Sequence, residues 1–495
     1  MTQGSPLDRQ APCPNCGAPM TFKFAGARAQ VCKYCKFLVA RTDRGLAKVG
    51  QVADLVEIPS PLAQGTTGYW DRKRFEVEGR VQIDSVGASS APWQEFALVL
   101  QDSGEPYWIA YAQGRWYWTR AVEPTPELPP LGRLRPGAQL QLPAAGPVVI
   151  AEVGRRKVIS AEGELPFVAA PGVVTPYADF SGPNGTFGTI DYGDGQSVPP
   201  KLFVGRQFDP ATFKLDSGQS LDAPQAQVEA CTCPNCGGSP PPGAAATAER
   251  IVCKYCGTIS DIRQGGAALQ ALGQAPRPPV NPYIPLGAEG VLRGNRVICI
   301  GFVIRGTTVG GERYRWREYL LYAGPTHGYV WLMEEDLKWQ FVTPLPPGEV
   351  QAAGTEATYR GSRYGYKQSV SAQVEYVVGE FYWKVQVGET VQATEYQGPG
   401  GIISSERDEN EVNLSFCVPI SGQEIAQAFR LAPPPAPAAF SSFSGSSSGT
   451  GAGCANPTLI WIVIVVIIIF FVILGDCDGG TGGGGVYVGP GFSGK

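Results

Sequence analysis

One histidine, His327, serves the whole 495-residue chain. General acid–base work, a nucleophile triad or a histidine metal centre would rest on that one side chain. It follows the Gly324-Pro325 turn and has no counterpart in the first half, so a surface turn is expected and no catalytic residue is assigned. Charge is also scarce, at 17% of residues, and the net charge is −4. That argues against nucleic acid as an obligatory partner of the whole chain. A phosphate-cradling loop is missing too: Gly479 to Gly485 follows an apolar run and lacks a Lys-Ser/Thr pair. The segment Met1 to Gln10 is polar without an apolar h-region, so no secretory signal is expected.

Glycine (64), proline (44) and cysteine (13) are what the chain does have. Many turns and short strands fit that composition better than long helices. Eight cysteines form two quartets. Cys13, Cys16, Cys32 and Cys35 make the first; Cys233, Cys236, Cys253 and Cys256 make the second. Paired Cys-x-x-Cys turns at zinc-ribbon spacing, with no signal peptide, predict two structural Zn2+ sites rather than disulfides. Gly17 and Gly237 follow the second cysteine of each, where a tight turn needs a residue tolerant of positive φ. Four thiolates close a zinc site and leave no position for a catalytic water. Cys231 reads as a spare thiol, and Cys299 and Cys417 read as core residues.

The spacing predicts seven parts: zinc ribbon 11–38, β-rich domain 50–220, zinc ribbon 229–260, β-rich domain 280–432, linker 433–457, transmembrane helix 458–475 and a Gly-rich tail 476–495. The fold class is mostly β, with each ribbon followed by an antiparallel domain. Phe75, Val77, Val81 and Ile83 alternate with Gly79 filling the gap; Val297, Cys299, Gly301 and Val303 do likewise. The halves match beyond the cysteines. Trp93-Gln94-Glu95-Phe96 parallels Trp316-Arg317-Glu318-Tyr319, and Gly163-Glu164 parallels Gly379-Glu380. This predicts a tandem duplication. Ser421-Gly422-Gln423-Glu424 predicts a capped helix without a counterpart in the first half.

Leu459 to Leu474 is an unbroken apolar run, flanked by a Pro/Ser/Gly linker and a glycine-rich end. In lipid such a run must be helical, and it predicts a single C-terminal span. Thiolates that hold zinc need a reducing compartment, so the bulk of the chain is expected in the cytosol, as a tail-anchored protein.

Trp93/Glu95 and Trp316/Glu318 are shared by the two β-domains. A carboxylate beside an indole suits a small cation such as a polyamine. The reading the pairs favour is plainer, a Trp filling the core with the acid capping a strand edge. Around the first ribbon, eight bases lie between Arg9 and Lys48 against one acid, Asp43. That face could meet nucleic acid or an anionic membrane. The second ribbon does not share the bias.

The ribbon, then Trp-x-Glu-aromatic, then a Gly-Glu strand, then Gly182-Pro183 or Gly398-Pro399, resembles the bacterial family called domain of unknown function 4178, over about residues 11–432. The resemblance implies zinc ribbons joined to one or two copies of a β-domain, in some members with a membrane segment. It implies no activity. Three functions stand as expectations: a non-enzymatic, membrane-anchored scaffold with a protein partner; a sensor or enzyme for a cationic small molecule; and a membrane-tethered nucleic-acid binder.

Overall fold

Two eight-stranded antiparallel rings dominate the computed structural model, which describes residues 9–433 apart from 24–26, 43–44, 54, 56–59, 87–92, 113–114, 124–126, 169, 194–198, 222–231, 239–249, 263–268, 276–280, 325–326 and 384. In the first ring, β1 (Lys73–Ser85), β2 (Trp93–Leu100), β3 (Pro106–Ala112) and β4 (Arg115–Ala121) form one meander. A second meander holds β5 (Gly146–Leu165), β6 (Val174–Ser181), β7 (Thr186–Asp191) and β8 (Lys201–Phe208). Pairing of β8 with β4 and of β5 with β1 closes the sheet.

The second ring repeats this order. Its first meander is β9 (Asn295–Val309), β10 (Glu312–Tyr322), β11 (Tyr329–Glu335) and β12 (Lys338–Leu345). Its second is β13 (Ser362–Phe381), β14 (Thr390–Gly398), β15 (Gly401–Arg407) and β16 (Val412–Ile420). β16 pairs with β12 and β13 with β9. Closure leaves no open edge on either ring, which is how all-β domains avoid edge pairing. The mostly-β expectation holds.

Where the rings close, glycine faces glycine: Gly79 opposite Gly163, and Gly301 opposite Gly379. Gly163 has φ 76° and Gly379 φ 105°. A Cβ on Gly163 would sit 2.1 Å from the Glu78 carbonyl oxygen, and one on Gly379 2.2 Å from that of Ile300. Only glycine permits this approach. A bulge accompanies each crossing, with register shifts between Val77 and Gly79 and between Cys299 and Gly301. One extra residue reverses every side chain beyond it. Phe75 and Val77 therefore pack outside the ring with Phe96 and Leu98. Val81 and Ile83 pack inside it, in a cluster with Trp108 of β3, Val158 of β5 and Phe203 of β8. Those strands are not all neighbours, so their side chains meet only across the interior. The alternation read along 75–83 marks two faces rather than one.

The outer faces are covered by apolar flanking segments. Leu62, Phe213 and Leu221 cover the first meander, and Leu134 and Leu142 the second. In the second ring, helix α1 (Gly422–Phe429) lays Ile425 and Phe429 against β9–β12, and the hairpin bearing Val350 and Tyr359 covers β13–β16. Ser421 caps α1, its hydroxyl accepting from the Glu424 N–H at 3.0 Å. Burying Ile425 and Phe429 contributes about 1.5–3 kcal/mol each, so this short helix is held by packing rather than by its own propensity.

Each ribbon continues a ring. Ala29–Val31 pairs with Phe37–Thr42 and with the end of β5, Gln30 opposite Glu164. Arg250–Val252 pairs with Thr258–Ile262 and with the end of β13, Ile251 opposite Glu380. The rings also touch. The Val153 N–H donates to the Asn410 carbonyl at 2.8 Å, and the Gly348 N–H to Ser181 Oγ at 2.8 Å. Residues up to Pro437 form one compact unit. The apolar run at 458–475, the linker beyond Pro433 and the tail lie outside the described residues, among which no helix is long and apolar enough to cross a membrane.

Candidate metal centres and the charged ring interiors

Each cysteine pair sits on a turn closed by backbone hydrogen bonds. Gly17 donates to the Cys13 carbonyl at 2.8 Å and Lys36 to that of Cys32 at 2.9 Å. Gly237 and Gly257 do the same to Cys233 and Cys253, at 2.9 and 2.8 Å. All four residues have positive φ, 77°, 54°, 70° and 73° in chain order, so only Lys36 takes that conformation without being glycine. The turns bring four Sγ atoms together in each ribbon, all within 4.8 Å of one another. Cys13 to Cys35 is 3.8 Å, Cys16 to Cys32 3.7 Å, Cys233 to Cys256 3.6 Å and Cys236 to Cys253 3.7 Å. A disulfide would require about 2.05 Å. Four thiolates about 2.3 Å from a tetrahedral zinc ion lie about 3.8 Å apart, so both quartets have the dimensions of a metal site. The Thr258 hydroxyl, 3.0 Å from Cys256 Sγ, and the Thr258 backbone bring that thiol down to about 6, toward the thiolate a metal requires.

Inside the rings the shared Trp-x-Glu pairs meet an arginine. In the first ring, Trp93 Nε1 donates to Glu95 Oε1 at 3.0 Å, and Arg156 lies 3.7 Å from Glu95 and 3.0 Å from Asp191. In the second, Trp316 Nε1 donates to Glu318 Oε1 at 2.7 Å, and Arg305 lies 3.1 Å from Glu318 and 3.2 Å from Glu406. The register makes these sets equivalent. Glu95 faces Val81 as Glu318 faces Val303. Asp191 faces Tyr177, which faces Gly154; Glu406 faces Ala393, which faces Val370. The arginines are not equivalent. Arg305 is on β9, opposite Trp316; the matching residue on β1, opposite Trp93, is Ile83. Arg156 instead comes from β5. Each ring builds one Trp–Glu–Arg–acid set, and the cation arrives from a different strand. The Glu95 and Glu318 carboxylates are thus already engaged by their own chain.

The first ring carries further acids. Asp179 accepts from the Thr189 hydroxyl at 2.6 Å, and Tyr177 donates its hydroxyl to Glu152. Burial, with Asp179 beside it and Glu411 and Asp408 facing it, raises Glu152 to about 8. Burial likewise raises Asp179 to about 6, against the Thr189 hydrogen bond and Arg156. Glu411 lies directly opposite Glu152 across the junction of the rings, and burial with Asp408 raises it to about 7.

Of the residues the sequence singled out, the eight cysteines lie in their two quartets, and Trp93/Glu95 and Trp316/Glu318 lie in separate rings. Glu164 is 3% exposed and accepts from the Lys23 N–H at 2.8 Å, tying the first ribbon to its ring. His327 is exposed on a turn. Sequence reasoning passed over Arg156 and Arg305. Asp191 and Glu406, brought to equivalent places by the register, mark where those arginines must reach.

A family model described as "Domain of unknown function (DUF4178)" matches residues 285–421, the bulk of the second ring. No curated protein and no solved structure matches the chain.

Proposed function

We propose that the chain is a membrane-tethered, non-enzymatic binding platform, a tandem duplication of a zinc ribbon spliced onto a closed β-ring. The observation that carries this reading is the splice itself. In both halves the second metal hairpin is hydrogen-bonded to the long strand that closes the ring. A metal bound there stiffens the ribbon and fixes it to a rigid body, which suits presentation of a surface. Zinc is the metal we assign, because four sulfur ligands at tetrahedral spacing fit it and leave no open position. The shared Glu95 and Glu318 are paired with arginines of their own rings, which fits a structural duty. The tether is the apolar run at 458–475, and thiolate sites suit a reducing compartment for the ribbons.

The test uses the full chain. Elemental analysis of detergent-purified protein should give two zincs per chain, and the protein should stay in the membrane pellet through alkaline carbonate washing. A co-purifying protein at fixed stoichiometry is expected. Another metal would overturn the zinc assignment, carbonate release the tether, and the lack of any partner on intact, metal-loaded protein the platform.

A second reading, binding of a small cation such as a polyamine, draws on the acids Glu152 and Asp179 beyond those paired with Arg156. A rise in melting temperature with spermidine, lost in Glu152→Gln, would favour it over the platform.

A further inference from the structure

The two ribbons share their metal turns and second hairpin and differ in surface. In ribbon one, Lys23, Arg28, Lys33, Lys36 and Lys48 are all exposed. Among the described residues none of the five forms a direct ion pair, although the Lys23 charge reaches Glu78. Tyr34, between the last two metal ligands, is 73% exposed with lysine on one side and, one residue on, Lys36 beyond Cys35. In ribbon two, Tyr255 is also exposed, at 64%, but among the described residues its cationic company is thin. Lys254 lies over its own neighbour's ring, 5.1 Å from the centroid. Arg250 is buried, 2.7 Å from Asp261 and 2.7 Å from the Val385 carbonyl oxygen.

We propose that the first ribbon is an electrostatic foot that docks on the anionic leaflet of a membrane, with Tyr34 entering the headgroup layer, while the second ribbon stays free for a partner. This rests on the tether proposed above, which brings the surface within reach. A linker the length of 433–457 has an end-to-end distance of about 25–30 Å if flexible. At that range weak contacts suffice, because the effective concentration of lipid is high. Each base near an anionic surface strengthens partitioning roughly five-fold, and five bases on one small ribbon act together. Tyrosine suits the interface because it has an apolar ring and a polar tip. Single-stranded nucleic acid would ask for successive stacking platforms, and among the described residues of this ribbon Tyr34 is the one exposed aromatic.

Residues 1–437, which form one compact unit holding every core described above, allow docking to be tested apart from the tether. The measurement is co-sedimentation with phosphatidylcholine vesicles, with and without phosphatidylserine. Binding is expected only with phosphatidylserine, and it should vanish in roughly 1 M salt, where charges are screened beyond about 3 Å. Lys33→Glu/Lys36→Glu should weaken it more than tenfold and Tyr34→Ala several-fold. Lys254→Glu and Tyr255→Ala should change it less than two-fold. All five positions are exposed, so metal content and melting temperature should stay at wild-type values. Equal binding to neutral vesicles, an equal loss from the ribbon-two variants, or binding to short single-stranded DNA with none to vesicles would each overturn the proposal. Failure here with carbonate-resistant full-length protein would sink the foot and leave the tether standing. Success here with carbonate-extractable protein would do the reverse.

Discussion

The two rings reach the same interior by different routes. Both place an indole N–H on a glutamate, an arginine beside that glutamate, and a second acid beyond the arginine. The first ring draws its arginine from β5 and leaves Ile83 on β1. The second draws it from β9 and leaves Ala372 on β13, where the register matches Arg156. What the ring requires is a cation between two carboxylates, and any strand whose side chain reaches that spot can supply it. Burying charges is costly unless they are paired and hydrogen-bonded. Without the arginine, two buried acids would be left facing each other in either ring. The outer faces differ as freely. One ring is covered by a short strand, Phe213–Leu215, and the other by helix α1, because an apolar cover needs area and not a particular element.

The ribbons offer the most severe way to break the comparison. Cys32→Ser and Cys253→Ser should each release one metal equivalent and lower the melting temperature by more than about 10 °C. Hydrogen exchange should then report opening at the end of β5 in the first case and of β13 in the second, where the hairpins attach. Two metals retained in either variant would show that the quartets are not the ligand sets.

The arginines come next. Arg156→Ala and Arg305→Ala should each cost about 3–5 kcal/mol, the range for leaving buried acids without their cation. The sharper test is the exchange. Ile83→Arg in the Arg156→Ala background should recover more than half of the loss, by giving the first ring the second ring's solution. Ala372→Arg in Arg305→Ala should do the mirror image. Denaturant melts of the four proteins decide it. No recovery in either ring would mean that the two sets only look alike.

The glycine crossings should be less sensitive, and alike. Gly163→Ala and Gly379→Ala each force a side chain into a positive-φ position against a carbonyl oxygen, at roughly 2–3 kcal/mol. A large difference between them would mean that one crossing relaxes where the other cannot.

Much of this was legible in the residues. Cysteine spacing gave both quartets, because a metal site is a local constraint written in a few adjacent positions. The alternation of β-branched and aromatic residues marked strands such as Lys73–Ser85 and Asn295–Val309. Ring closure was not legible. It depends on β5 finding β1 and β8 finding β4, contacts far apart in sequence. Nor was the change of face at Gly79, because a bulge adds a residue without breaking the count of two that the eye follows. Arg156 and Arg305 escaped for a related reason. Comparing the halves position by position finds residues at matching places, and these two stand on different strands of their rings. Ribbon and ring likewise read as separate domains in sequence, since nothing local announces that Ala29–Val31 will pair with the end of a strand more than a hundred residues later.

The smallest effect separates the rings by their acids. Glu152 at about 8, Glu411 at about 7 and Asp179 at about 6 all lie above the value of about 4 for an unfolded carboxylate. A carboxyl whose folded pKa is raised holds a proton that the unfolded chain has lost, so stability falls as pH rises between the two values and levels off above the folded one. Stability should therefore decline from about pH 5 to about pH 8, with the last part of the fall shared by Glu152 and Glu411, which face each other where the rings meet, and Glu78, which burial beside Glu76 and Glu164 also raises to about 7. Glu152→Gln removes one of the two charges and keeps a group that can accept from Tyr177. It should flatten the profile between about pH 6.5 and 8.5 and leave the arginine set of either ring untouched. The measurement is melting temperature against pH, kept above about pH 6 so that the cysteine sites stay deprotonated and metal-loaded. A wild-type protein more stable at pH 8 than at pH 6.5 would mean that these acids ionise freely, and that the junction between the rings is open to water.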